Sequence, residues 1–251
     1  MARRRDAAKK SRRARSPPGV GQSVMAGAGA IRLLLLGAPG AGKGTQMGRL
    51  LQRFPGLQAV ASGDLLRREI AAGSPLGEQA AAHIAAGRLL PDALVSSAIL
   101  DELARRRWLH GGASWLLDGF PRTVAQAQEL DAALERADAA LTLVVEVAVP
   151  EDVILDRIQK RFVHVPSGRV YNLDYNPPCE AGRDDVTGEP LSRRPDDTPE
   201  VFYKRMQEYA ATAGPLKEHY ARQGILRTVR GPTSDIVFPQ LERLVQAQLG
   251  T

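Results

Sequence analysis

Gly37-Ala38-Pro39-Gly40-Ala41-Gly42-Lys43-Gly44-Thr45 follows directly on the apolar run Ile31–Leu36. A short apolar run that ends in glycine reads as a strand buried on both faces of a parallel sheet. The glycines let the main chain wrap closely around a polyphosphate, with successive N–H groups pointing inward. A helix is predicted from about Gly42 to Arg53. Its N-terminus adds partial positive charge, and Lys43 is placed to neutralise a transferring phosphoryl group. A strand before and a helix after make this a phosphate-binding loop rather than a glycine-rich turn with an incidental lysine.

Working outward, further strands are predicted at Leu57–Val60, Ser114–Leu117, Leu141–Val147 and Ile225–Val229. Helical patterns occupy Pro91–Arg107, Thr123–Arg136, Glu151–Arg161, Pro199–Gln223 and Asp235–Leu249. Alternation of this kind argues for an α/β fold: a P-loop NTPase-type, doubly wound, parallel five-stranded sheet flanked by helices. Residues 162–197 break the pattern. They mix Gly, Pro, Asn and Asp with short β-like pieces such as Arg169–Tyr171. An insertion of that length within a compact domain reads as disordered or as a functional subdomain.

The net charge of +6 divides unevenly. Residues 1–30 carry eight basic residues and one acid, Asp6, leaving 26 basic and 27 acidic residues, a net of −1, for the rest. The basicity therefore belongs to the N-terminal segment and does not mark the folded part as a nucleic-acid binder. That segment, residues 1–30, reads as a targeting sequence, a disordered basic arm or a nuclear-localisation-like run, and Met25 offers an alternative start. No apolar run approaches the roughly 20 residues of a membrane span. A single cysteine, Cys179, excludes an intramolecular disulfide and a multi-cysteine zinc site.

One departure within the loop is informative. The general phosphate loop carries Ser or Thr directly after its lysine, where the hydroxyl ligates Mg2+. Here that position is Gly44, followed by Thr45. The variant GAPGAGKGTQ resembles the adenylate kinase family. Three more segments match in order: Ser62-Gly63-Asp64-Leu65-Leu66-Arg67, Asp118-Gly119-Phe120-Pro121-Arg122-Thr123, and the run His164 to Asn172 followed by Tyr175-Asn176-Pro177-Pro178. The resemblance covers roughly residues 31–248. Trp115 before Leu-Leu-Asp-Gly-Phe-Pro-Arg-Thr, Ser62 in its context and Gly231-Pro232-Thr233-Ser234-Asp235 are similar to the mitochondrial GTP:AMP phosphotransferase branch, especially its fungal forms.

The resemblance implies reversible phosphoryl transfer from a nucleoside triphosphate to AMP. GTP (or ITP) is the preferred donor, and ATP stays open as the alternative because nothing in the residues explains a guanine preference. It implies a core of residues 31–251, with an AMP-binding arm inserted at 62–90 and a small β-rich lid at 160–197. The AMP phosphate is itself an anionic nucleophile, so positioning and charge stabilisation suffice and arginines should crowd the site. The family pattern implies Lys43, Arg122, Arg157, Arg161, Arg194, Arg205 and Asp118 as catalytic, with Asp118 ordering the waters of Mg2+. Gly40, Ala41, Gly42, Lys43, Gly44, Thr45, Arg161, Val170, Tyr171 and Thr233 would bind the donor. Ser62, Arg67, Arg88, Leu89, Leu90, Gly119, Phe120, Pro121, Arg122, Gln126, Arg194 and Arg205 would bind AMP. A monomer in the mitochondrial matrix, with no membrane partner and no nucleic acid on the core, completes what the resemblance implies.

In the lid, His164, Ser167, Asp184 and Thr187 occupy positions where some family members hold zinc with four cysteines. Hydroxyls are poor zinc ligands, so the set reads as a hydrogen-bonded substitute, with no structural zinc. His83, His110 and His219 lack matching partners and read as ordinary helix or loop residues. A hydrolytic P-loop switch would require an Asp-x-x-Gly after a strand, which Asp118-Gly119-Phe120-Pro121 does not supply. A non-enzymatic nucleic-acid module would depend on residues 3–15 and would be lost on truncation at Met25.

Overall fold

The computed structural model describes residues 29–194 and 197–250. Residues 1–28, and with them nearly all of the basic segment, lie outside the described residues. Five strands form one parallel sheet: β1 (Arg32–Leu36), β2 (Gln58–Ala61), β3 (Trp115–Asp118), β4 (Leu143–Ala148) and, late in the chain, β7 (Leu226–Arg230). Their order is β2-β3-β1-β4-β7. From β1 the chain passes outward beyond β3 to the β2 edge, whereas from β3 it returns across β1 to β4. The C-terminal ends of β1 and β3, in register at Leu35 and Asp118, therefore open into one crevice, where open α/β sheets bind their ligands.

The alternation of side chains along β1 builds two cores. Leu34 and Leu36 join Trp115, Leu117 and Val144 on one face, under α2 (Ser62–Ala71), α3 (Pro75–Ala85), α4 (Asp92–Arg105) and α5 (Val124–Arg136). Leu33 and Leu35 join Leu116, Val145 and Val147 on the other, under α1 (Lys43–Arg53), α6 (Glu151–Gln159) and α8 (Ser234–Leu249). The long helix α7 (Pro199–Arg222) serves both, with Phe202 in the second core and Leu216 and Tyr220 in the first. Arg32, the charge that interrupts the apolar run, donates from Nε to the Ala140 carbonyl and from Nη1 to the Gly111 carbonyl, both at 2.6 Å.

Two regions carry structure that periodicity alone did not reveal. Residues 62–85 form a pair of short helices, α2 and α3. Ser74 starts the second by accepting a hydrogen bond from Gly77 N–H at 3.1 Å, ahead of Pro75 at the first helical position. The helices touch so closely that a Cβ on Gly77 would lie 2.2 Å from the Glu69 carbonyl oxygen. Residues 160–194 form the antiparallel pair β5 (Arg161–Val163) and β6 (Val170–Asn172), extended by single bridges from Val163 to Ser192 and from Arg183 to Pro190. Among the described residues no helix is long and apolar enough to cross a membrane.

The Gly77 contact gives a direct test of the helix pair. Gly77→Ala is expected to destabilise the protein by about 1–3 kcal/mol, as overpacking against rigid backbone does. Gly48→Ala, in the interior of α1 with nothing within 4 Å of the added carbon, is expected to stabilise by up to about 1 kcal/mol. Equilibrium urea denaturation measures both; equal effects of the two changes would refute the close approach.

Candidate active site

The loop between β1 and α1 closes around its own lysine. Ala41 N–H bonds the Ala38 carbonyl at 3.1 Å, and Lys43 Nζ donates to the Gly37 and Ala38 carbonyls at 2.9 and 3.0 Å. Gly40 has φ +84°, and a Cβ there would strike Ile154 and Ile158 of α6 at 2.8 Å, so only glycine fits between loop and helix. Helix α1 has Gly42 as its N-cap and no side chain capping its first turn, which leaves its amides for an anion. At Gly44 a Cβ would sit 4.0 Å from Asp118 Oδ2. The carboxylate at the end of β3 thus faces the place where other phosphate loops carry their hydroxyl.

Around this loop lies a cleft of about 860 Å³. Arg67, Arg122, Arg157, Arg161, Arg194 and Arg205, which the sequence scatters over more than a hundred residues, all line it. Each has a support. Arg67 pairs with Asp64 one turn earlier on α2, and Arg194 stands 3.8 Å from the same carboxylate. Arg122 Nε donates to the Gly119 carbonyl at 2.7 Å. Arg161 is gripped by Asp197 through both its Nε, at 2.8 Å, and its Nη2. Arg157 donates to the Pro232 carbonyl at 2.7 Å and the Ala41 carbonyl at 3.4 Å, with its guanidinium over the Tyr175 ring.

These charges are crowded: Arg157 is buried, Lys43, Arg67, Arg161, Arg194 and Arg205 are half-buried, and Arg122 is exposed. Burial lowers the Lys43 pKa, opposed by Asp118 and reinforced by Arg122 and Arg161. Burial likewise lowers Arg122, with Arg205 adding to the effect, and brings Arg194 down to about 10, with Arg161 and Arg67 adding to it. Asp118 is pushed up, first by burial, while Lys43 and Arg122 pull it down and Asp64 raises it further. Cations crowded together in a cleft favour a multiply charged anion among them.

Other expected residues stand behind the wall. Ala41, Ser62, Arg88, Leu90, Phe120, Gln126 and Thr233 do not line the cleft, whereas Gly40, Gly42, Gly44, Thr45, Leu89, Gly119, Pro121 and Val170 do. Ser62 Oγ donates to the Gly119 carbonyl at 2.7 Å. Gln126 accepts from the Arg122 N–H at 2.7 Å and donates to Asp92 at 2.8 Å, so both residues hold the 119–122 loop in place. Phe120 and Leu90 are core residues, and Thr233 caps α8. Tyr171 lines the cleft, but its ring is buried and its hydroxyl donates to Asp184 at 2.9 Å. Sequence reasoning missed Asp64, although its i,i+3 spacing from Arg67 was visible, and Asp197, which lies 36 residues from its partner Arg161.

The four positions His164, Ser167, Asp184 and Thr187 come together in the hairpin segment. His164 Nδ1 lies 2.7 Å from Ser167 Oγ and Nε2 3.4 Å from Thr187 Oγ1. The centre of the set is Asp184, which accepts from Arg169 at 2.5 and 2.7 Å, from Tyr171, and from the Thr187 hydroxyl and N–H at 3.0 and 2.9 Å. Arg169, Tyr171 and Glu189, whose carboxylate is 2.6 Å from His164 Nε2, complete a network larger than the four positions. Among the described residues no group of three or more His, Cys, Asp or Glu is placed to hold a metal ion. Cys179 is exposed and stands outside the network, its N–H bonded to Asp185.

A parallel sheet with a phosphate loop after its central strand, and arginines gathered over that loop, defines a P-loop nucleotide-binding enzyme. Residues 35–225 match the family model described as Adenylate kinase. The chain is 57% identical over 220 residues to a Saccharomyces cerevisiae protein named GTP:AMP phosphotransferase, mitochondrial, covering 88% of this chain and 94% of that one. A second sequence of that name, from strain S288c, is 59% identical over 208 residues, covering 83% and 92%. A Drosophila melanogaster protein of the same name is 41% identical over 212 residues, covering 84% and 94%. The chain belongs to the adenylate kinase family and is a nucleoside monophosphate kinase.

The Asp184 pKa is held well below the usual carboxylate range, chiefly by Arg169, against its own burial. A depressed carboxylate stabilises the fold above its unfolded value, about 4, and that contribution is lost as pH falls through the folded value. Asp184→Asn is therefore expected to lower the melting temperature at neutral pH. Its difference from wild type should narrow only below about pH 4. Calorimetry across that range checks the sign; a difference that narrows on the alkaline side would contradict it.

Proposed function

We propose that this enzyme transfers the γ-phosphoryl group of GTP to AMP, giving GDP and ADP, in the mitochondrial matrix. The observation that carries the transfer is the convergence of Lys43 and six arginines on one cleft over the phosphate loop. Donor and compartment are supported by relatives at 41% to 59% identity whose printed names specify GTP, AMP and mitochondria. ATP as donor is the second reading, favoured by the family's own description.

In this scheme the loop amides, Lys43, Arg157 and Arg161 bind the donor phosphates. Arg67 and Arg122 bind the AMP phosphate, and Arg194 and Arg205 span both. No protein base is needed, because an AMP phosphate oxygen attacks directly and the arginines hold donor and acceptor in line. Asp118 fits the role of ordering the waters of Mg2+: it is half-buried in the cleft wall, it is repelled by Asp64, and it faces the hydroxyl-free Gly44. Mg2+ bound with the triphosphate beside Asp118 would offset charge on the phosphoryl oxygens. Residues 62–90 act as the AMP arm and 160–197 as a lid that excludes water, which would otherwise accept the phosphoryl group. The enzyme works as a monomer.

Initial rates with AMP as acceptor and GTP, ITP or ATP as donor test the reading; a clear preference for ATP would overturn the donor assignment and leave the transfer intact. Arg67→Ala is expected to raise the KM for AMP about 10- to 100-fold, the worth of a charge-assisted hydrogen bond or two, with the KM for donor little changed. Replacing the segment 164–191 by a short Gly-Ser link should raise triphosphate hydrolysis relative to transfer. An unchanged ratio would remove the shielding role.

A further inference from the structure

His83 lies in the last turn of α3, ahead of the 87–90 segment, and the sequence assigns it no partner. The structure gives it two. Helix α3 ends through Ala86 into Gly87, whose φ is +67°. The Gly87 N–H bonds the Ile84 carbonyl at 3.1 Å, and the Arg88 N–H bonds the His83 carbonyl at 3.0 Å, the paired bonds of a glycine-terminated helix. The chain then turns back so that the Leu89 carbonyl oxygen lies 2.8 Å from His83 Nδ1. A carbonyl only accepts, so Nδ1 carries the hydrogen. One residue therefore grips Arg88 with its main chain and Leu89 with its ring.

The segment it grips is confined on its other sides. A Cβ on Gly87 would meet Val201 Cγ1 at 2.9 Å and the Val201 carbonyl at 3.1 Å, so the turn presses against the first turn of α7, where Arg205 also passes. Leu90 is buried in the core, while Gly87 and Leu89 line the cleft. A trans peptide is planar, with its C=O and N–H pointing in opposite directions. Fastening the Leu89 carbonyl to His83 therefore aims the Leu90 N–H away from α3, and fastening the Arg88 N–H aims the Gly87 carbonyl away likewise.

We propose that His83 is a positioning residue for the acceptor nucleotide. It fixes the peptide planes of 87–90, and through them the affinity for AMP, without touching the substrate. The inference rests on the reading that the main chain of 88–90 belongs to the AMP side of the cleft. Release of this one hydrogen bond behind the wall lets those planes rotate, which weakens acceptor binding and leaves the phosphate loop and the donor side as they were.

Steady-state kinetics on the full-length enzyme, with AMP and GTP varied in turn, test this. His83→Ala is expected to raise the KM for AMP about 5- to 10-fold, with kcat and the KM for GTP within about twofold of wild type. His83→Asn, whose side-chain amide places a donor where Nδ1 stands, is expected to restore the KM for AMP. His83→Gln, with its donor one bond further out, is not. An unchanged KM for AMP in His83→Ala, an equal rise in the KM for GTP, or no difference between the Asn and Gln variants would each overturn the proposal. Should His83→Ala fail to fold, the Asn and Gln pair still decides. Arg67→Ala separates the premises: if it raises the KM for AMP while His83→Ala does not, only the role of His83 falls, and if neither does, the assignment of the acceptor site falls.

Discussion

Positive charge crowded into one cleft, at the open end of a parallel sheet, is the constraint around which this structure is organised. Lys43, Arg122 and Arg194 are each made less willing to carry their charge, first by burial and then by neighbouring arginines. Such a set is tolerable because Asp118 and Asp64 stand among them and because a polyphosphate would offset the repulsion. The binding energy for phosphate is in this sense built in before any nucleotide arrives, since the dipoles and cations are held in position by the fold rather than gathered by the ligand.

Holding them there requires bonds made within the protein. Ser62 and Gln126 fix the 119–122 loop from behind, and Arg157 ties the phosphate loop to the segment before α8 through the Ala41 and Pro232 carbonyls. Asp197 pins Arg161 to the far end of the hairpin segment. The ring of His83 makes a bond of the same kind, to the Leu89 carbonyl. Each replaces the freedom of a loop or a long side chain with one directed bond, and the entropy of ordering is met in folding rather than in each catalytic cycle.

The hairpin segment solves a different problem with the same chemistry. It is small, has little apolar interior and lines one side of the cleft. Asp184 supplies the cohesion that a core would otherwise provide, by collecting Arg169, Tyr171 and Thr187 on one buried carboxylate. A buried, fully bonded carboxylate fixes geometry strongly because leaving any partner unpaired is costly.

By itself the sequence determined the local units. The β1–loop–α1 unit and every strand of the sheet, to within a residue or two, followed from periodicity and glycine placement, whereas the six arginines and the four hairpin positions came from the resemblance to the adenylate kinase family. These features depend on neighbours within about a turn or on single residue types. Helices α2 and α3 escaped because their apolar faces are short and their packing turns on the absence of a side chain at Gly77. Only the tertiary structure decided which polar groups face the cleft and which stand behind it. Gln126 and Tyr171 carry donors and acceptors equally suited to a nucleotide or to a protein partner, and Asp92 and Asp184 claimed them. His83 appeared unpartnered because a hydrogen bond six residues away exists only after a glycine turn reverses the chain. Pairings of that kind are set by the path of the backbone, which residue type does not encode.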